Sequence, residues 1–198
     1  MLNILILGAH GQIARVATDV FLKHTDAQLT LYLRNARRLK LSGHADRVRV
    51  VEGDVLDTKA LEAATAGQDV VYANLAGDLE QQARCIVTAM EKTGIKRLIF
   101  ISSMGIYDEI PGERHGSILD PYRKAASLIE ASDLDYTILR PAWLSDRDVI
   151  DYATTRKGEP FIKASEQVSR KSVADLVIKL AMTPGFETRS SLGVHKKS

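Results

Sequence analysis

Gly8, Gly11 and Ala14 stand three residues apart, where an apolar run from Met1 to Leu7 gives way to an amphipathic one. Glycine at the first position can take the positive φ with which a chain leaves a strand tightly. Glycine at the second keeps side-chain atoms away from an approaching phosphate. A helix starting just beyond aims unpaired N–H groups and the positive end of its dipole at the same point. The spacing therefore suits a dinucleotide pyrophosphate, with His10, Gln12 and Ile13 in the same turn. The pattern is Gly-x-x-Gly-x-x-Ala and not Gly-x-Gly-x-x-Gly, and an ordinary strand-to-helix turn satisfies it equally well.

A second apolar run, Gln28 to Leu33, ends in Arg34. An acidic residue at this place would receive the ribose hydroxyls of NAD, whereas an arginine suits the 2′-phosphate of NADP. Arg37 and Arg38 follow one turn on, so NADP is the expected cofactor in preference to NAD. A charge-assisted hydrogen bond to phosphate is worth about 1.5 to 3 kcal/mol, a preference of about tenfold to hundredfold. The alternative is a solvated basic turn made by Arg34, Arg37, Arg38 and Lys40.

These residues need a scaffold, and the chain alternates the two kinds of element that build one. Strands are expected at 2–7, 28–33, 47–52, 68–73, 96–101 and 135–139, and helices at 12–24, 58–65, 78–93, 121–131 and 171–182. Ile4 to Leu7, Val70 to Tyr72 and Leu98 to Ile101 are continuously apolar, as in parallel strands covered on both faces. The expected fold is α/β, a doubly wound parallel sheet in a single domain over 1–198, binding its ligand at the carboxyl ends of the strands.

Four loops lie at those ends. Asp54 can accept the adenine amino group or cap the helix starting near Thr58. Asn74 to Gly77 lets the backbone approach a ribose. Ser102 to Tyr107 faces the nicotinamide end, and Pro141 to Leu144 can close over it, with Trp143 expected in the core or the pocket wall. The stretches 104–120 and 142–166 lack periodicity and are the expected substrate-facing loops. The polar tail from Ser190 is expected to be partly disordered, with Leu192 to Val194 as a short edge strand.

With 198 residues, the chain is long enough for one domain that buries roughly 70% of its unfolded surface. A net charge of +2 gives no argument for nucleic acid or membrane partners. Cys85, the one cysteine, cannot form an internal disulfide and is expected in the core. The run before Gly8 is too short for a signal peptide, so a cytoplasmic location is expected. His10, His24, His44, His115 and His195 are scattered, and no metal site is expected. The serines at 102 and 103 lack a Gly-x-Ser-x-Gly elbow, which disfavours serine hydrolysis.

Taken together, Gly-Ala-His-Gly-Gln-Ile-Ala at 8–14, Leu-Arg-Asn-Ala-Arg-Arg-Leu at 33–39, Gly-Asp-Val at 53–55, Ile-Ser-Ser-Met-Gly-Ile-Tyr at 101–107 and Leu-Asp-Tyr-Thr-Ile-Leu-Arg-Pro at 134–141 resemble an atypical short-chain dehydrogenase/reductase. The chain is most similar to the NAD(P)H-binding branch with NmrA-like proteins and flavin or biliverdin reductase-like enzymes. The resemblance implies a Rossmann-like fold. It places Gly8, Gly11, Gln12 and Ile13 at the pyrophosphate, Arg34 at the 2′-phosphate, Asp54 and Val55 at the adenine, Leu75 and Ala76 at the ribose and Ser102 toward the nicotinamide.

One departure from the family bears on the chemistry. The wider superfamily uses Tyr-x-x-x-Lys, in which the lysine one helical turn on lowers the phenol pKa. Here Ala126 stands four residues after Tyr122, and Lys124 points to nearly the opposite side of the helix. By its spacing from Leu134, Tyr122 occupies the family's lysine position and Ile118 the tyrosine's. Reduction of an isolated carbonyl would lack its acid, whereas a flavin, quinone or tetrapyrrole spreads the incoming charge over its own π-system. The expected activity is hydride transfer from NADPH to such a small planar acceptor, with Ser103, Tyr107 and Tyr122 as candidate catalytic residues. The alternative is a non-catalytic NADP(H) sensor with a protein partner, and either a monomer or a homodimer is compatible. A sugar epimerase is less expected, because little chain follows the sixth strand.

Overall fold

The computed structural model describes residues 1–39, 45–110, 112 and 116–197. Lys40, His44, His115 and part of the expected 104–120 loop lie outside the described residues. Strands β1 (Asn3–Leu7), β2 (Gln28–Leu33), β3 (Val48–Glu52), β4 (Val70–Ala73), β5 (Arg97–Ile101) and β6 (Asp135–Pro141) form where the apolar runs predict them. So do helices α1 (Gln12–His24), α2 (Thr58–Thr65), α3 (Leu79–Thr93), α4 (Asp120–Glu130) and α5 (Arg170–Met182). Four further strands complete the chain: β7 (Trp143–Ser145), β8 (Ala153–Arg156), β9 (Gln167–Ser169) and β10 (Ser190–His195).

The main sheet has the order β3-β2-β1-β4-β5-β6-β10-β8, and β7 pairs with β9 in a separate ribbon. All neighbours in the main sheet are parallel except β10 and β8. The winding runs outward in both directions from between β1 and β4, which opens a crevice at their carboxyl ends. Ile4 and Ile6 pack with α1 and α5 on one face, whereas Leu5 and Leu7 pack with α2, α3 and α4 on the other. This alternation within one fully apolar strand is why its sequence shows no period.

Helix ends follow their local chemistry. Asp57 caps α2 by accepting from Ala60 N–H at 3.1 Å, Asp78 caps α3 through Gln81 N–H at 3.2 Å, and Ser169 caps α5 through Ser172 N–H at 2.9 Å. The capping role offered for Asp54 therefore falls to Asp57. Asp54 Oδ1 instead accepts from Leu56 N–H at 3.0 Å, a local turn bond.

Two expectations about the second half are corrected. The 142–166 stretch is not one open loop, since β7 and β8 lie within it. The polar tail is ordered as far as it is described, and β10 is interior, flanked by β6 and β8. Leu192 and Val194 enter the α1/α5 side of the core, and Ser191 on the opposite face accepts from Arg140 Nε at 3.1 Å. A buried arginine beneath the strand makes its serine an interior residue, and no local pattern announces that.

Candidate functional site

At the switch point, Gly8 leaves β1 with φ +74°, and a Cβ there would stand 2.2 Å from the carbonyl oxygen of Asn74 after β4. Conformation and close approach both demand glycine. Gly8 N–H and Ala9 N–H both donate to Tyr32 O, at 3.0 and 3.3 Å, and Gly11 N–H returns to Gly8 O at 2.8 Å. Gly11 is the N-cap of α1 and offers no side-chain cap, and the first turn contains no acid. The leading N–H groups of α1 are thus left for a ligand. Gly8→Ala is expected to lower stability by at least about 2 kcal/mol, from left-handed strain plus displacement of a backbone carbonyl. Urea unfolding measures this, and an unchanged midpoint would contradict it.

The cleft beside this turn has a volume of about 340 Å³. Gly8, His10 and Gly11 form one wall; Arg34, Asn35 and Arg38 a second; the loops after β3 and β4, with Tyr32, Leu33 and Gln82, the remainder. Arg34 is exposed, and the described residues offer its guanidinium no partner. Of the basic residues expected here, Arg34 and Arg38 line the cleft and Arg37 does not. In the one-turn 3-10 helix Ala36–Arg38, successive side chains diverge by about 120°.

Sequence reasoning missed Tyr32 and Gln82. Tyr32 is buried, and its hydroxyl donates to Asp54 O at 2.9 Å, fixing the loop after β3. Burial, then the carboxylates of Asp57 and Asp54, pushes the Tyr32 phenol up. A Cβ at Gly53 would lie 2.3 Å from that hydroxyl, so Gly53 exists to admit Tyr32. Gln82 donates from Nε2 to Ala76 O at 3.1 Å and steadies the loop after β4. A glycine directly after an apolar strand was the available signal for Tyr32; Gln82 on α3 gave none.

The other expected residues separate into three groups. Ile13 has its side chain in the core, and Gln12 is exposed at the helix start. Ser102, after β5, is buried, and its Oγ has no hydrogen-bond partner among the described residues. Pro141 ends β6, and its carbonyl accepts Met104 N–H at 3.3 Å. These last two lie at the far end of the strand edge from Arg34, where a nicotinamide would reach.

The catalytic candidates fare differently. Tyr107 is a correction: its hydroxyl donates to Glu130 at 2.6 Å, at the far end of α4, and lies 3.2 Å from Ser191 Oγ. Burial and then the Glu130 carboxylate raise its pKa, while Lys157 Nζ stands 4.3 Å from the ring centroid. Its hydroxyl is thereby committed to Glu130 and Ser191, and Tyr107 is not among the residues lining the cleft. Ser103 Oγ donates to Met104 O at 3.1 Å. Tyr122 is half-buried and packs against the α3/α4 side of the core, with Ala125, Ala126 and Ile129 buried beside it. Lys124 faces outward and pairs with Glu80 at 3.0 Å; that contact raises its pKa. Ile118 is 76% exposed and Trp143 62% exposed, so Trp143 is not a core residue as expected. Cys85 is half-buried. No group of three potential metal ligands gathers among the described residues, and no described helix is long and apolar enough to cross a membrane.

A loop under Tyr107 is held by charge. Glu109 accepts from Gly105 N–H at 3.0 Å and Tyr107 N–H at 2.9 Å, and it pairs with Arg140, which is fully buried. The backbone of Glu109 also receives Phe161 N–H at 3.0 Å. One carboxylate thereby ties the loop after β5 to β6.

Residues 8–184 match the family described as NAD(P)H-binding, and the chain belongs to that family. It is 43% identical to a Rossmann-fold NAD(P)-binding family protein of Shigella flexneri, with TM-score 0.88, covering 99% of this chain and 94% of that one. A short-chain dehydrogenase/reductase of Veillonella parvula in complex with NADP is 31% identical, with TM-score 0.90, covering 98% and 94%. ChuY of Escherichia coli, an anaerobilin reductase, shares the fold at 22% identity and TM-score 0.82, covering 98% and 97%. Among curated proteins, an uncharacterized sugar epimerase of Bacillus subtilis, YhfK, is 26% identical over 162 residues, 72% of each chain. The NAD(P)H-binding, Rossmann-like reading of the sequence is thus established. The open N-terminus of α1, the uncapped Gly11 and the unpartnered Ser102 hydroxyl are the features that fit a nicotinamide dinucleotide.

Proposed function

We propose that this protein is an NADPH-dependent reductase that passes hydride to a small planar conjugated acceptor such as a flavin, a quinone or a tetrapyrrole. The observation that carries the reading is the position of Lys124. It is the lysine of α4, and it pairs with Glu80 on the outside, so it does not form the tyrosine–lysine pair that proton transfer to an isolated carbonyl would use. An acceptor that delocalises its own negative charge needs no such acid. Arg34 and Arg38 would hold the 2′-phosphate, the α1 amides the pyrophosphate, Asp54 and Val55 the adenine, and Ser102 the carboxamide. The reduced nicotinamide supplies the hydride when bound. Trp143, directly after β6, offers an exposed indole on which a flat acceptor can stack.

The complex of the Veillonella relative with NADP supports the phosphorylated cofactor, and ChuY, an anaerobilin reductase of the same fold, fits the acceptor class. The decisive assay follows NADPH consumption by purified protein against a panel of flavins, quinones and tetrapyrroles. Turnover that depends on one of these is expected. NADPH binding without turnover on any of them would favour the sensor alternative, in which the bound cofactor state is reported to a protein partner.

A further inference from the structure

Glu52 ends β3, opposite Leu33 in the register of β2, and its carboxylate accepts Ala36 N–H at 2.7 Å. Ala36 opens the same short turn that carries Arg38, and Arg34 and Asn35 immediately precede it. Asn35, the N-cap of that turn, makes no side-chain cap bond, so the glutamate satisfies an amide that no nearer residue serves. Glu52 does not itself line the cleft, but its negative charge is bonded to the turn from which Arg34, Asn35 and Arg38 line it.

We propose that Glu52 is a specificity-determining residue that narrows this protein's preference for NADPH and keeps NADH usable; this rests on the cofactor reading of the cleft above. The effect is electrostatic. A carboxylate bonded to the turn that holds a 2′-phosphate of charge near −2 repels that phosphate and offsets part of the attraction of Arg34 and Arg38. NADH lacks the phosphate and does not meet this repulsion. In this chain the arginine comes from β2 and the acid from β3, so the turn contains both signs.

Glu52→Gln removes the charge and keeps an oxygen for Ala36 N–H, so the turn remains capped. The test is equilibrium titration of the wild type and the variant with NADPH and NADH, read by nicotinamide fluorescence. Kd for NADPH is expected to fall about threefold to tenfold, with NADH unchanged, and the gain to shrink at high salt. An unaltered NADPH-to-NADH ratio, or an equal change for both cofactors, would overturn the proposal while leaving the cofactor site standing. Failure of the wild type to bind either cofactor would overturn both.

Discussion

Arg140→Met is expected to destabilise the protein by about 3 to 5 kcal/mol, because it strands the Glu109 carboxylate in the interior. Both partners are buried, with 0% and 5% of their side-chain surfaces exposed. Methionine matches the length of the arginine stem but carries no charge. The loss would be a large share of a stability that is typically 5 to 15 kcal/mol. Adding Glu109→Gln removes the stranded charge and still offers an oxygen to Gly105 or Tyr107 N–H, so the double variant should recover part of the loss. Urea unfolding of the four proteins gives the coupling. Strictly additive losses would mean that the pair is not a unit.

The same pair has a pH signature. Burial pushes the Glu109 carboxyl up, but the backbone N–H groups around it and the Arg140 guanidinium prevail and hold it below the ordinary carboxylate range. A carboxyl whose folded pKa is depressed gives stability that is fully present above its unfolded value and lost as pH falls through the folded one. Wild-type protein should therefore lose stability as pH drops below about 4, and the Arg140→Met variant should lose less over that range.

Arg34→Ala is the second large effect. Removing an exposed guanidinium that has no partner among the described residues should leave the fold intact and weaken NADPH by about tenfold to hundredfold, with NADH little changed. Arg38 remains on the same wall and limits the loss. Titration of both cofactors decides the matter. Equal weakening would show that Arg34 serves the common part of the dinucleotide.

What the sequence made legible was whatever is encoded locally. Ile4 to Leu7 and Val70 to Tyr72 announce buried parallel strands because every position is apolar, and Gly8 announces the turn because no other residue fits it. Ser191 and His195 gave no such signal: their strand is interior because β6 and β8, both distant in sequence, flank it. Thr154, Thr155 and Arg156 read as loop, yet they pair with β10. Of the residues lining the cleft, Gly8, His10, Gly11, Arg34, Asp54, Val55, Leu75 and Ala76 were legible from their motifs, whereas Tyr32 and Gln82 reach it through strand register and helix packing. Tyr107 looked available from its place after β5, and only the structure shows its hydroxyl turned to Glu130.

The central claim is that the crevice between β1 and β4 binds a nicotinamide dinucleotide by its phosphates. Isothermal titration of the purified protein with NADPH, with 2′-phospho-AMP as a competitor lacking the nicotinamide, addresses it directly. Saturable one-site binding of NADPH, displaced by the adenylate half alone, is the predicted result. No heat of binding, or binding indifferent to the competitor, would contradict the account.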